Sequence, residues 1–254
     1  MQNILVVGKG YVGSAVVKAF KKNIIFVAEP KINTKISDFK NKKIDFVFVC
    51  VDTPKGENFN TLHNVLREIN DTFKNHIVII KSTALPSFFK KIHNEFKNIK
   101  LVHYPEFLSH WNNINDFLNQ KFCILGGELP ICKKVANLLK SNLKKLKTIK
   151  FTNLETAALI KYAENSFLAL KVTFANELYN IIKANSLPCT YEEFVELLVL
   201  DERIGKSHLQ VPGRDGRKGW GGHCFEKDTY EFVKEYSCNL IDYVRKLNKL
   251  HRDE

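Results

Sequence analysis

The sequence predicts an α/β protein, a doubly wound parallel sheet followed by an all-helical second domain built on a long central helix. Over the first 150 residues, short runs rich in β-branched residues alternate with amphipathic stretches of helical period. After that, a helical pattern without Gly or Pro runs from Leu154 to about Ala184, far longer than an average globular helix. We therefore expect two domains, residues 1–150 and 151–254.

Each element follows from its own pattern of apolar residues. The strand candidates are residues 4–7, 24–28, 46–51, 77–81, 100–103 and 122–125. The helical candidates of the first domain are residues 12–21, 62–73, 87–96 and 131–143. In the second domain, shorter helical patterns at 190–200 and 228–250 lie on either side of a Gly/Arg-rich loop at 212–223. The long helix is apolar over a broad face, so we expect it to form a domain spine or the interface of a homodimer.

The composition limits the classes of protein to which the chain could belong. Hydrophobic content of 44% and charged content of 26% are ordinary for a globular protein. The N-terminus has the pattern of a strand, not of a signal peptide, and no apolar run is long enough to cross a bilayer, so we expect a soluble, cytoplasmic protein with no membrane partner. Six cysteines without C-x-x-C pairs give no indication of a metal site.

The formal charge of +12 raises the question of nucleic-acid binding. The lysines cluster at helix ends and connections, without the interleaved aromatic residues of a single-strand binding groove. A solvated surface is the favoured interpretation, and we expect no nucleic-acid partner. An anionic small substrate such as a sugar diphosphate would also benefit from this field.

A glycine-rich turn follows the first strand. Gly8, Gly10 and Gly13 form a G-x-G-x-x-G motif that contains Tyr11 and Val12 and opens the first helix. In a Rossmann-type domain, these glycines allow the tight turn, the approach of a pyrophosphate and close helix–sheet packing. Glu29, sixteen positions beyond Gly13 at the end of the second strand, would bind the ribose hydroxyls and favour NAD over NADP. A turn that only packs helix on sheet is the alternative.

Cys224 lies in the most informative segment, residues 219–229, which reads Gly-Trp-Gly-Gly-His-Cys-Phe-Glu-Lys-Asp-Thr. A thiol among glycines is accessible, and His223 and Lys227 could favour its thiolate. Asp228 could begin the following helix. On residue chemistry alone, a lone loop cysteine is more often a bystander than a nucleophile.

Five further motifs occur in order along the chain. They are the glycine turn at 8–13, Cys-Val-Asp-Thr-Pro at 50–54, Lys-Ser-Thr at 81–83, Pro-Glu-Phe-Leu at 105–108 and Lys-Tyr-Ala-Glu-Asn at 161–165. Together with the Cys224 segment, they resemble the UDP-glucose/GDP-mannose dehydrogenase family over nearly the whole chain. The resemblance implies an NAD-dependent, four-electron oxidation of a nucleotide sugar, most simply UDP-glucose to UDP-glucuronate. Cys224 would capture the aldehyde as a thiohemiacetal, which becomes a thioester and is then hydrolysed.

The resemblance also implies roles for individual residues. Lys161 and Asn165 match an oxyanion-stabilising pair that contacts the substrate, and Asp228 matches a carboxylate that orients water or relays a proton. Thr83 matches a threonine that holds water and contacts the cofactor, as Thr53 does, and Glu106 matches a catalytic glutamate. Gly221 and Arg203 match substrate contacts, the arginine across a dimer interface. Structural alternatives stay open for several of these residues. Lys161 and Asn165 could belong to a solvated helix face, and Thr83 could cap the helix that follows it. Glu106 could stabilise a turn, and Arg203 could be an ordinary surface arginine.

The chain departs from the family pattern at four places. Ser109 and His110 stand where Arg and Glu are usual, and Glu226 stands where Pro is usual. Residues 214–218 lengthen the loop before Cys224, and the sequence ends about where a third, nucleotide-gripping domain would start. A two-electron hydroxyacid-type dehydrogenase and a non-catalytic NAD- or nucleotide-sugar-binding protein therefore stay open as alternatives.

Overall fold

The structure, a computed structural model, describes residues 1–107 and 113–253. The chain divides into two compact units, Met1–Lys161 and Tyr162–Glu254. The domain boundary near residue 150 stays a prediction, because the division by compactness falls inside a helix and groups the first turns of that helix with the sheet.

The first unit contains a seven-stranded, mostly parallel sheet in the order β2-β1-β3-β4-β5-β6-β7. Its strands are β1 (Asn3–Val7), β2 (Ile24–Ala28), β3 (Phe46–Val49), β4 (Ile77–Ile80), β5 (Lys100–His103), β6 (Phe122–Gly127) and β7 (Thr148–Thr152). Its helices are α1 (Tyr11–Ala19), α2 (Asn60–Thr72), α3 (Pro86–Glu95), α4 (Asn113–Asn119) and α5 (Leu129–Asn142). The predicted fold class is confirmed.

The central strands β3 and β4 are buried along their whole length. Continuous apolar runs of this kind are typical of strands that helices cover on both faces. The strand β1 lies between β2 and β3, so the direction of winding reverses beside it. The carboxyl ends at such a switch point form a crevice, and this is where open α/β sheets bind ligands.

One edge of the sheet differs from a fully parallel arrangement. The strand β6 pairs antiparallel with β5, with Val102 opposite Gly127, and β7 then pairs parallel with β6. We did not predict β7, because its residues, Thr-Ile-Lys-Phe-Thr, are mostly exposed and make no continuous apolar run. An antiparallel strand at the edge of a largely parallel sheet is common among doubly wound folds.

The second unit is helical in its described residues. It comprises most of α6 (Leu154–Ala184), followed by α7 (Tyr191–Leu198), α8 (His223–Tyr236) and α9 (Asn239–Asp253). The single helical pattern predicted at 228–250 is two helices, because Ser237 takes a left-handed conformation with φ of 49° and ends α8. Within the described residues, no helix has both the length and the hydropathy needed to span a bilayer.

The helix α8 begins earlier than we predicted. Gly222, with φ of 83°, is its N-cap, and His223 is its first residue. The prediction that Asp228 begins this helix is therefore wrong, because the carboxylate lies in the second turn. Cys224 accordingly lies in the first turn of a helix instead of in the loop.

Candidate active site

The structure explains the three glycines of the first turn in different ways. Gly8 has φ of 86°, and a Cβ there would lie 2.7 Å from the carbonyl oxygen of Cys50. At Gly13 a Cβ would lie 1.9 Å from the carbonyl oxygen of Gly8. A Cβ at Gly10 would meet no atom within 4 Å. Packing therefore requires Gly8 and Gly13, whereas the space beside Gly10 is open to a ligand.

The open space lies at the N-terminus of α1. Gly10 is the N-cap of this helix and supplies no side-chain cap, and the first turn contains no acidic residue. Tyr11 is exposed there, and Val12 packs against the core. A helix end with uncapped N–H groups and no negative side chain is suited to an anion such as a pyrophosphate.

Glu29 lies directly after β2 and is joined to the glycine turn. Its carboxylate accepts hydrogen bonds from the backbone N–H of Lys9 at 2.7 Å and from that of Lys31 at 3.2 Å. These two bonds hold the pKa of the Glu29 carboxyl below its usual value, so the group is charged at neutral pH. The structure thus brings the predicted ribose-binding carboxylate to the edge of the predicted pyrophosphate site.

Two predicted cofactor contacts meet at the carboxyl ends of β3 and β4. The buried Thr53 donates a hydrogen bond from its hydroxyl to the backbone oxygen of Thr83 at 2.9 Å. Beside it, Ser82 donates from its hydroxyl to the backbone oxygen of Val51 at 2.7 Å. These side chains connect the 50–54 and 81–83 segments, so both motifs border the same crevice of the sheet.

Lys81, a buried cation, belongs to the Lys-Ser-Thr motif, and its sequence context predicted no role for it. Its Nζ lies 3.6 Å from the centre of the Tyr104 ring, within range of a cation–π contact. Burial lowers the pKa of the Lys81 ammonium to about 8, against the opposing effect of the Glu106 carboxylate; the positive charge of Lys161 lowers it further. The structure therefore brings Glu106 and Lys161, both predicted site residues, into electrostatic range of Lys81. A lysine directly after a run of four buried apolar residues was the available signal.

The second unit holds a buried polar cluster around Asp228. Asn165 donates from Nδ2 to one carboxylate oxygen of Asp228, and Lys227 donates from Nζ to the other, each at 2.5 Å. The exposed fractions of Asn165, Asp228 and Lys227 are 4%, 2% and 5%. The sequence predicted that Lys227 would support the thiol of Cys224, whereas its ammonium is bonded to Asp228.

The exposed Cys224 precedes this cluster by one turn of α8. Residues three and four positions apart lie on the same face of a helix, so α8 carries the thiol, the ammonium and the carboxylate along one face. No side chain caps the N-terminus of α8, and the first-turn N–H groups there favour negative charge.

The remaining predicted residues have separate environments. Arg203 is 88% exposed and forms an ion pair with Asp201, two residues away. A Cβ at Gly221 would lie 2.9 Å from Nη2 of Arg252, so glycine lets α9 approach this segment. Leu108, Ser109 and His110 lie outside the described residues. Among those that are described, no group of three or more His, Cys, Asp or Glu side chains could hold a metal ion.

Two family models match the chain. Residues 28–144 match the NAD binding domain of the UDP-glucose/GDP-mannose dehydrogenase family, and residues 155–250 match the central domain of the same family. The UDP-glucose 6-dehydrogenase of Rickettsia typhi is 31% identical over 240 residues, which cover 86% of this chain and 52% of that protein. The chain thus spans about half the length of this relative.

Solved structures share the fold. A UDP-glucose dehydrogenase from Pyrobaculum islandicum superposes with a TM-score of 0.81 at 22% identity, covering 98% of this chain and 68% of that one. A 3-hydroxyisobutyrate dehydrogenase from Mycobacterium tuberculosis superposes with a TM-score of 0.78 at 13% identity, covering 100% of this chain and 96% of that one. At these identities the likeness concerns the fold alone.

Proposed function

Because the chain belongs to the UDP-glucose/GDP-mannose dehydrogenase family, we propose that it is an NAD-dependent nucleotide-sugar 6-dehydrogenase that converts UDP-glucose to UDP-glucuronate. The observation that carries the proposal is the face of α8, where an exposed thiol precedes a buried, doubly hydrogen-bonded carboxylate by one turn. A two-electron alcohol dehydrogenase does not need such a thiol. An enzyme that continues the oxidation to the acid needs it to capture the aldehyde.

The glycine turn and its neighbours fit NAD. The pyrophosphate would approach the N-terminus of α1 beside Gly10, and the charged Glu29 would accept hydrogen bonds from the adenosine ribose. The other proposed cofactor contacts are Gly8, Tyr11, Val12, Gly13, Thr53 and Thr83. When bound, NAD supplies the acceptor for two successive hydride transfers, one per cofactor molecule.

Cys224 explains how the second oxidation becomes feasible. Its thiolate adds to the C6 aldehyde, which forms a carbon–sulfur bond and makes the carbon tetrahedral, so that the hydrogen it already carries can leave as hydride. Loss of that hydride leaves a thioester, and water then breaks the carbon–sulfur bond to give the carboxylate and restore the thiol. One alcohol and one water are consumed, and four electrons leave the sugar.

The other proposed catalytic residues would serve charge and orientation. We assign Lys161 and Asn165, four positions apart on α6, to the oxyanion formed when the thiolate adds. Asp228 holds the Asn165 amide in place through its hydrogen bond. Thr83 and Glu106 are assigned to the water of the hydrolysis step, and Gly221 and Arg203 to the substrate.

We also propose that the chain acts as a homodimer through α6. Phe167, Phe174 and Ile181 lie seven residues apart on this helix and are 64%, 57% and 52% exposed. A seven-residue spacing places them along one stripe, which a second copy of the helix would cover. Light scattering should give twice the mass of the chain, and Phe174→Glu should give the mass of one chain.

A second candidate is a two-electron dehydrogenase of a small hydroxyacid, which would use a helix lysine and asparagine such as Lys161 and Asn165 without a thiol. NADH production across a panel of nucleotide sugars and hydroxyacids, with product masses, separates the two. The proposal expects two NADH per nucleotide sugar and a uronate product.

Cysteine variants complete this experiment. Cys224→Ala should lose turnover while retaining NAD binding, whereas Cys238→Ala, between α8 and α9, should behave as wild type. A free aldehyde with one NADH, or full turnover by Cys224→Ser, would establish the two-electron reading. NAD binding without turnover of any substrate would instead indicate a non-catalytic binding protein.

A further inference from the structure

The backbone just before Cys224 is held by polar side chains that no motif identified. Asn248 of α9 accepts a hydrogen bond through Oδ1 from the backbone N–H of Trp220 at 2.7 Å. The same amide donates from Nδ2 to the backbone oxygen of Trp220 at 2.9 Å. One side chain thus satisfies both main-chain groups of one residue, as a neighbouring strand would.

Two residues of α6 also form hydrogen bonds with this segment. Asn176 accepts a hydrogen bond through Oδ1 from the backbone N–H of Gly219 at 2.9 Å. The hydroxyl of Thr173 accepts from Nε1 of Trp220 at 3.0 Å and donates to the backbone oxygen of Ala169. All of these groups are buried, where an unmade hydrogen bond costs more than at the surface.

Glycines allow α9 to come this close. Gly219 has φ of 69°, and a Cβ there would lie 2.6 Å from Oδ1 of Asn248. Asn248 and Gly219 are therefore matched, since a larger residue in the segment would displace the amide that holds it. A side chain at position 219 would therefore prevent Asn248 from bonding to the Trp220 backbone.

The residues between Trp220 and the Cys224 thiol explain why the Trp220 backbone must be held. Trp220 is followed by Gly221 and Gly222, and glycine restricts the backbone less than any other residue. Gly222 then caps α8, whose first turn contains Cys224. The Trp220 ring also packs edge-on against Phe225, at 6.1 Å between ring centres. Fixing Trp220 thus fixes both the backbone and a side-chain contact of the turn that carries the thiol.

We propose that Asn248 is a positioning residue for Cys224, acting through the Trp220 backbone to hold the first turn of α8 in register. The kinetic part of this inference rests on the proposed function, in which Cys224 is the nucleophile. The structural part does not, because the reactivity of the thiol can be measured without any substrate. A residue that only stabilised the fold would change the melting temperature and leave the chemistry of the thiol unchanged.

The experiment compares three variants of the full chain. Asn248→Ala removes both bonds to the Trp220 backbone, and Thr173→Val removes the bond to its indole while keeping the side-chain shape. Tyr191→Phe is the matched control, because it removes one buried hydrogen bond, to the backbone oxygen of Leu209, near the middle of the same connection between α7 and α8. Iodoacetamide labels the free protein at fixed pH, and peptide mass spectrometry follows Cys224 with Cys238 as the internal reference.

For Asn248→Ala we expect the labelling rate of Cys224 relative to Cys238 to fall about threefold, because the thiolate loses its alignment with the helix end. We expect kcat to fall about tenfold to a hundredfold with an unchanged KM for NAD, the cost of a misplaced reactive group. Thr173→Val should lower the labelling ratio and kcat as well, by smaller factors. If Asn248→Ala does not fold, Thr173→Val decides whether the bonds to Trp220 position the thiol. Tyr191→Phe should change neither.

An unchanged labelling ratio in the folded variants would overturn the inference. A wild-type protein without turnover would remove the proposed function, while the labelling ratio would still decide whether Asn248 positions the thiol.

Discussion

Replacing Gly10 by alanine should weaken NAD binding without unfolding the protein, whereas replacing Gly13 should damage the fold itself. Both glycines belong to one motif, so the sequence cannot separate a ligand-binding role from a packing role. The structure does, because a Cβ at Gly10 meets nothing within 4 Å and a Cβ at Gly13 lies 1.9 Å from the backbone oxygen of Gly8.

The magnitudes follow from these distances. Gly10 has φ of −70°, outside the left-handed region, so Gly10→Ala should change the free energy of unfolding by at most about 1 kcal/mol. At Gly13 the obstructing atom is backbone and cannot rotate away, so Gly13→Ala should cost about 3 kcal/mol or more. The new methyl group of Gly10→Ala would occupy the space of the pyrophosphate, and a tenfold rise in Kd corresponds to about 1.4 kcal/mol.

Urea unfolding and calorimetric titration with NAD measure the two effects on the same samples. Lys18→Ala, exposed near the far end of α1, is the control that should change neither quantity appreciably. A wild-type Kd for Gly10→Ala would refute the reasoning, because the pyrophosphate could then not lie against this helix end. Wild-type stability of Gly13→Ala would refute the packing argument.

Three further predictions concern buried or paired charges. Burial lowers the pKa of the His103 imidazole to about 3, so the unfolded chain takes up a proton near pH 6.5 that the folded protein refuses. Stability should therefore fall by about 1.4 kcal/mol per unit as the pH drops below 6.5, and urea titrations of His103→Gln, with exposed His93→Gln as control, should lose that part of the slope. Glu29→Gln keeps the shape of the side chain and removes its charge, so the ratio of the Kd values for NADP and NAD should fall about tenfold, or about 1.4 kcal/mol; an unchanged ratio would contradict the assigned role of the carboxylate. Asp228→Asn leaves the Lys227 ammonium buried without its carboxylate and should cost about 3–5 kcal/mol in urea unfolding, part of which Lys227→Met should restore in the double variant.

The sequence predicted those parts of the fold whose cause is local. The strands β3 and β4 are continuous apolar runs, and buried runs of that kind leave few alternatives. The break between α8 and α9 has no such signal, because Ser237 takes the left-handed conformation that Gly or Asn usually marks. The antiparallel pairing of β6 with β5 has no signal in the residue pattern of either strand.

In the candidate site, too, the sequence predicted the features that depend on neighbouring residues and missed those that depend on distant ones. The glycine turn was predictable because its residues are contiguous, and the motif records both the close packing at Gly8 and Gly13 and the open space beside Gly10. The contact between Asn165 and Asp228 joins residues 63 positions apart, so the sequence could name both partners and not their bond. Asn248 belongs to no motif, and an asparagine on a polar helix gives no indication that it binds a distant backbone.

The bond between Asn165 and Asp228 also bears on what the carboxylate can do. Both oxygens of Asp228 already accept hydrogen bonds, one from an amide and one from an ammonium, and the group is 2% exposed. A carboxylate bonded in this way is fixed in place, because turning either oxygen toward another group would break a buried hydrogen bond. An orienting role agrees with these contacts better than a general base that removes the Cys224 proton. In the proposed mechanism, the end of α8 would then activate the Cys224 thiol, and the placement of that first turn would be a condition for catalysis.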